Sequence, residues 1–216
     1  MPTITLKSIL DNTKTYQYVD NGEPMRGGVK DVYFSPDKSY VVAFFRTKLD
    51  FNQKERVISI ATIKKDSIFN VDNGQYWKNI YCWPYDVVEK DGLTGIIVPA
   101  YDKRFFFKQG YANNDILKGK EKNGKWFASA KFRASNSKTK LDNSELGNWL
   151  SYFQVCVNIA RGVKRLHSAG LAHSDLSYNN VLIDPTSGSG ANIIDIDGLV
   201  VPGKYPPEVI GTADFI

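Results

Sequence analysis

The segment HSDLSYNNVLID, residues 173–184, with NIIDIDGL, residues 192–199, restricts the possible folds of this chain more than any other stretch. VLID and ANIIDI read as two short strands, and the run Pro185 to Gly190 between them has the turn residues of a hairpin. His173, Asn179, Asn180 and aspartates at 175, 184, 195 and 197 frame that hairpin. Upstream, Leu146, Trp149, Leu150, Phe153, Cys156, Val157, Ala160, Val163 and Leu166 recur in steps of three and four. That spacing predicts one apolar face of a long amphipathic helix, with Cys156 buried in it and Gly170 as its stop.

The first hundred residues read mostly as strands. KDVYFSP and SYVVAFFR flank the turn Ser35-Pro36-Asp37-Lys38, and YDVVEKDGLTGIIVPAY turns at Asp91-Gly92. Between the hairpins, ERVISIATIKKDSIF is mixed in period and open to a helical reading. The fold class expected is α+β, with a β-rich lobe over residues 1–99 and a second lobe over 100–216. The second lobe carries a basic insertion at about 112–143, then the long helix and the polar hairpin.

Charge is concentrated in that insertion. Residues 116–141 hold eight Lys and Arg against Glu121 alone, a net +7, so the rest of a chain of net charge +5 is slightly acidic. Trp126, Phe127 and Phe132 interleave with these cations, a pattern compatible with nucleic acid. The expectation is instead a solvated loop with a few anchoring aromatics. No apolar run reaches the roughly 18 residues of a membrane span, the start MPTITLKSIL has no secretory pattern, and two cysteines make no disulfide framework, so a cytoplasmic location is expected.

A helix, a tight loop, a hairpin and a carboxylate at its far end suit phosphoryl transfer. One carboxylate orients the attacking hydroxyl, while an amide and a second carboxylate hold a divalent metal against the phosphates. LHSAGLAHSDLSYNNVLID resembles the protein-kinase catalytic loop H-R-D-L-x-x-x-N, and IIDIDG resembles the strand bearing D-F-G. The resemblance implies a bilobal kinase-like fold and ATP with Mg2+ or Mn2+ as cofactors. It implies Asp175 as catalytic base, Asn180 and Asp195 as metal ligands with Asp197 assisting, and His173 as a brace of the loop. GTADF, residues 211–215, resembles the G-T-x-x-Y loop, which would place Thr212 near Asp175. Because the chain stops at Ile216, the second lobe is expected to be cut short after the activation segment. Two departures bear on rate and regulation: Ser174 stands where the loop has Arg, and Ser177 where Ser/Thr kinases have Lys.

A third departure is the missing lysine of V-A-I-K. The strand reads Val42-Ala43-Phe44-Phe45, and Arg46 and Lys48 fall on the face opposite Ala43 and Phe45. Gly27-Gly28-Val29-Lys30-Asp31-Val32-Tyr33 resembles the glycine loop of with-no-lysine kinases, whose phosphate-binding lysine comes from the second strand. This implies Lys30 for the phosphates, with the backbone of Gly27 and Gly28 close to them. The alternative is Arg46 or Lys48 reaching in through a bulge. Glu55, with Asp66 as second choice, is expected to pair with the lysine from a helix. Ala43 would touch adenine, and Val98-Pro99-Ala100-Tyr101 would form the hinge beside it.

Over most of its length the chain resembles bacterial Ser/Thr kinases of the tellurium-resistance type, through GVKDVYFSPDKSYVVAFFR, GLAHSDLSYNNVL and IIDIDGLVVPG. That resemblance implies a protein substrate, with a PP2C-type phosphatase and a von Willebrand A-domain protein as partners. A nucleotide-dependent scaffold without transferase activity is the alternative, and a nucleic-acid binder is the least favoured of the three.

Overall fold

The computed structural model describes residues 2–108, 117–128, 141–186 and 190–207. A hairpin, β1 (Thr3–Lys7) and β2 (Thr15–Val19), precedes a five-stranded antiparallel sheet of order β3 (Met25–Arg26), β4 (Lys30–Phe34), β5 (Tyr40–Phe45), β7 (Leu93–Pro99), β6 (Asp86–Lys90). Both sheet hairpins follow from their turn residues. Asp91 and Gly92 lie at φ 53 and 75, the pair of positive φ values that a two-residue turn of matching twist requires. In the other turn, Asp37 accepts hydrogen bonds from Ser35 Oγ at 2.7 Å and from the Ser39 N–H at 3.0 Å. The Ser35 bond, then those from Ser39, hold the Asp37 carboxyl down at about 2. The leading hairpin is tied to the sheet by Asp86, which accepts from Ser8 Oγ at 2.6 Å and Tyr16 Oη at 2.7 Å.

Residues 51–69 are helical throughout: α1 (Phe51–Ser59), a π-turn (Ile60–Lys64) and α2 (Lys65–Phe69). Asp50 and Gln53 start α1 with a reciprocal capping box. The π-turn has an identifiable cause. Trp83 Nε1 donates to the Ile60 carbonyl at 2.9 Å, a side chain inserted into the helical ladder. A further helix, α3 (Gly74–Ile80), leads into β6.

In the second half, α4 (Lys125–Ala128) is followed by the long helix α5 (Trp149–Ser168), β8 (Ala172–His173), the hairpin β9 (Val181–Asp184) and β10 (Gly190–Ile193), and β11 (Leu199–Val200). Asn148 caps α5, accepting from the Ser151 N–H at 3.0 Å, so Leu146 lies before the helix. The buried face corrects the sequence reading. Ser151, Val155, Asn158, Gly162 and Leu166 face inward, while Trp149, Leu150 and Phe153 are exposed and Cys156 is an exposed thiol rather than a buried one. The helix is drawn in by its small and polar positions. Tyr81 Oη donates to the Gly162 carbonyl at 2.6 Å, and Tyr76 Oη donates to Asn158 Oδ1 at 2.8 Å. A Cβ on Gly162 would meet Ile80 and Ile193 methyl carbons at 2.9 Å. Gly170, at φ 71, ends the helix as expected.

The described part of the basic insertion is not a solvated loop. Lys122 is buried, with Nζ 2.5 Å from Glu145 and 3.7 Å from Asp184. Its backbone extends the β9 edge through Lys122 N–H to Phe105 O and Ile183 N–H to Lys122 O, both 2.7 Å. Trp126 and Phe127 pack with Phe107, Leu141, Val155 and Ile183. They are core residues, not platforms for stacking bases; Phe132 lies outside the described residues. Among the described residues no helix is long and apolar enough to cross a membrane.

The packing against Gly162 yields a prediction. Gly162→Val should overpack the contact with Ile80 and Ile193, at a cost of about 1–3 kcal/mol. The melting temperature should then fall by several degrees, read by circular dichroism.

Candidate active site

β4 and β5 pair so that Lys30 lies directly opposite Phe45. Directly paired residues share a face of the sheet. Phe45 therefore fills the place where the third strand of kinases carries its lysine, and the Lys30 ammonium lies over its ring, 5.6 Å from the centroid. From there Lys30 Nζ crosses the cleft to Asp197, 2.7 and 2.8 Å from its two oxygens, and to Asp195 Oδ1 at 3.0 Å. The Lys30 side chain is 12% exposed and that of Asp197 9%, whereas Asp195 is 52% exposed. Burial alone would lower the Lys30 pKa. The attraction and hydrogen bonds of Asp197 and Asp195 outweigh it and hold the ammonium above its ordinary value.

The glycine turn sits beside this lysine. The Gly27 N–H donates to the Lys30 carbonyl at 2.9 Å. Arg46 is engaged by the glycine turn and not by Asp195 or Asp197. Its guanidinium binds the carbonyls of Gly27, at 3.1 Å, and Gly28, while its own N–H donates to Val29 O at 3.1 Å. Lys48 lies near Gly92, with its ammonium 3.1 Å from where a Cβ there would sit.

The opposite wall comes from the polar loop. β8 pairs with β11, setting His173 against Leu199. His173 Nδ1 accepts from the Asp175 N–H at 3.2 Å and Nε2 donates to the Ile194 carbonyl at 2.9 Å. These two bonds select the Nε2–H tautomer and brace the loop against the strand leading to Asp195. Asn180 is buried, and its Nδ2 donates to the Asp175 carbonyl at 2.7 Å and to Asp175 Oδ2 at 2.9 Å. The Asn180 carbonyl accepts from Ile194 N–H at 3.0 Å. Asp195 leaves the strand in the left-handed region, at φ 57 and ψ 38, and opens a 3-10 turn, Ile196–Gly198. Ser174 Oγ donates to the Gly198 carbonyl at 2.7 Å. Ser177 is buried, its Oγ accepting from the Asn179 N–H at 3.2 Å, so the loop position that carries Lys in Ser/Thr kinases holds no cation here. Thr212 and the rest of GTADF lie outside the described residues.

Two expectations need correction. Glu55 does not face Lys30; its Oε2 lies 3.1 Å from Lys204 Nζ. Its neighbour Arg56 is buried, and its Nη1 donates to the Tyr205 carbonyl at 3.1 Å. One helical step is 100°, so the sequence could not choose between the two faces. At the hinge, the Ala100 N–H is used by the Ser39 carbonyl at 3.1 Å and is not left for a base edge. Ala43 is buried in the cluster that includes Val32, Phe45 and Val98. Val98 also packs, with Tyr101, against Cys82, Phe105, Leu182 and Ile194. These apolar residues join the two walls behind the ion pair; Cys82, whose thiol burial pushes up to about 12, and Leu182 carried no chemical signal in sequence. Glu121, from the insertion, is another residue missed. Burial, with the charge of Asp195 adding to it, raises its pKa.

No family model matches the chain, and no curated protein matches it. Solved structures do. The kinase domain of a rhoptry antigen specific to Toxoplasma gondii matches with a TM-score of 0.52 at 12% identity, over 92% of this chain and 54% of that one. Vaccinia related kinase 3 matches with a TM-score of 0.54 at 10% identity, over 92% and 52%. ROP2 from Toxoplasma gondii, described as having a protein-kinase fold and no enzymatic activity, matches with a TM-score of 0.52 at 14% identity, over 92% and 55%. The chain spans about half the length of these structures. Its fold is that of the protein kinases.

The His173 brace can be tested by His173→Ala. Loss of both ring bonds should cost about 1–3 kcal/mol in urea unfolding, with an unchanged slope if the native state stays compact.

Proposed function

We propose that this chain is an ATP-dependent protein kinase that transfers the γ-phosphoryl group to Ser or Thr of a protein, its own chain included. The observation that carries this reading is the pair of walls described above. An ammonium from β4 meets two carboxylates across a cleft whose other side holds Asp175 and Asn180.

The donor set suits Mg2+ or Mn2+. Asp195 and Asn180 offer oxygen ligands, since the Asn180 amide nitrogen is engaged by Asp175. The two carboxylates already collect a cation, the Lys30 ammonium. Among the described residues no group of three or more His, Cys, Asp or Glu could hold a metal ion. Mg2+ held by one or two carboxylates together with substrate phosphates does not need such a group. Such an ion, when bound, neutralises phosphate charge. Lys30 would bind the inner phosphates and Asp195 and Asn180 would hold the metal. Asp175 would orient the acceptor hydroxyl and take its proton, in a position fixed by His173 and Asn180. Ala43 and Val98 would contact the adenine ring.

A tellurium-resistance setting, with a PP2C-type phosphatase and a von Willebrand A-domain protein as partners, belongs to the same proposal and is supported by the sequence resemblance alone. A second reading, a nucleotide-dependent scaffold without transfer, is favoured by buried Ser177. That position offers no side-chain cation to the transferred phosphoryl group.

Thermal shift with ATP and Mg2+, alongside transfer of radiolabelled phosphate, separates the readings. Millimolar Mg-ATP should raise the melting temperature by mass action, and Lys30→Ala should abolish the rise. Asp175→Asn should keep the rise and lower transfer by about 10²–10⁴-fold. A rise without any transfer in the unmodified chain would select the scaffold; no rise would overturn both.

A further inference from the structure

Among the described residues the Lys30 ammonium is hydrogen-bonded to both carboxylates of the DIDG turn, and the geometry points to Asp197, not a helix carboxylate, as the residue that positions it. Asp197 receives the ammonium on both oxygens, at 2.7 and 2.8 Å, in a setting where both side chains are about nine-tenths buried. Asp195 receives it on one oxygen at 3.0 Å and is half exposed. The two carboxylates therefore have different tasks. Asp195 is open to exchange its ammonium for a metal ion, and Asp197 is the fixed counter-ion.

The helix supplies nothing in its place. Residues 51–69 contain two acids, Glu55 and Asp66. Glu55 is bonded to Lys204, and Asp66 is exposed in the first turn of α2. On the inward side the helix presents Val57 and Ala61 to the core, with Arg56 directed to the Tyr205 carbonyl. In this chain the lysine and its anchor come from β4 and from the turn after β10, so the phosphate-side cation is set in place without a carboxylate from α1. As part of the catalytic site this assignment rests on reading the cleft as a Mg-ATP site. The ion pair itself does not depend on that reading.

The experiment has two arms. The first is a double-mutant cycle on melting temperature without nucleotide or metal. Asp197→Asn leaves the buried ammonium with only the half-exposed Asp195 as its counter-ion and should lower the melting temperature by roughly 6 °C or more. Adding Lys30→Met should recover most of that loss, because the under-paired charge is then removed. If Asp197→Asn does not fold alone, recovery of a cooperative transition in the double variant gives the same answer. Lys30→Met with Glu55→Gln should be additive. The second arm titrates Mg2+ at fixed ATP. Asp197→Asn should weaken ATP about tenfold or more with the Mg2+ midpoint unchanged, and Asp197→Glu should recover part of the affinity, while Asp195→Asn should move the Mg2+ midpoint. Additivity between positions 30 and 197, coupling between 30 and 55, or a Mg2+ midpoint that moves in Asp197→Asn would each overturn the assignment. If the unmodified chain binds no ATP, the functional reading fails and the first arm still decides the pairing.

Discussion

The bond between Lys30 and the two aspartates of the DIDG turn is the constraint on which the rest of the cleft depends. It joins Lys30, on a strand of the five-stranded sheet, to Asp195 and Asp197, before and in the 3-10 turn that follows β10. An ion pair this buried is not a source of stability by default, because desolvation of both charges offsets much of their attraction. Its effect is to fix geometry. It also leaves the turn with one negative charge in excess, two carboxylates against one ammonium. Glu121 registers that excess, since its carboxyl is raised partly by the charge of Asp195.

The polar loop works in the opposite way, through neutral hydrogen bonds. His173, Ser174 and Asn180 each bond to backbone, at Ile194, Gly198 and Asp175 respectively. Side-chain bonds to buried carbonyls satisfy groups that no strand or helix can serve. The His173 and Ser174 side chains, with the backbone bond from Ile194 N–H to the Asn180 carbonyl, attach the loop to the segment carrying Asp195 and Asp197, while the Asn180 side chain holds the loop to itself. Behind it, the insertion adds Lys122 to the β9 edge and closes its charge with Glu145 and Asp184. Asp184, which looked like part of the chemistry in sequence, serves this structural pair and the Thr186 turn.

What the sequence made legible was local. The polar loop 173–180, the turns at Asp37 and Asp91-Gly92, and the stop at Gly170 rest on chemistry within a few residues. The place of Lys30 was legible for a related reason. Phe45 stands at the expected lysine position, and the resemblance of Gly27–Tyr33 to the with-no-lysine glycine loop pointed to Lys30, with Arg46 and Lys48 left as alternatives. What failed depended on phase or on distant partners. The inward face of α5 was misread because Gly162, Asn158 and Ser151 are buried by contacts with Tyr81, Tyr76 and the Asn148 cap, and no hydropathy pattern marks small or polar residues as inward. Lys122 sat in a run of cations and gave no sign of its carboxylates. Glu55 and Arg56 are adjacent, so a small error in helical phase exchanges their roles.

That exchange has a structural consequence. A carboxylate on this helix facing Lys30 would couple the helix directly to the ammonium in the cleft. Here α1 is coupled instead to the segment that follows the DIDG turn, through Glu55 with Lys204 and through Arg56 with the Tyr205 carbonyl. Burial lowers the pKa of the Arg56 guanidinium, and the charges of Asp197 and Asp50 act against that lowering; its Nε is buried without a hydrogen-bond partner. An unsatisfied buried donor costs about 1–3 kcal/mol. Arg56 is therefore kept in place by its remaining bond to Tyr205 and by the negative charge of the turn.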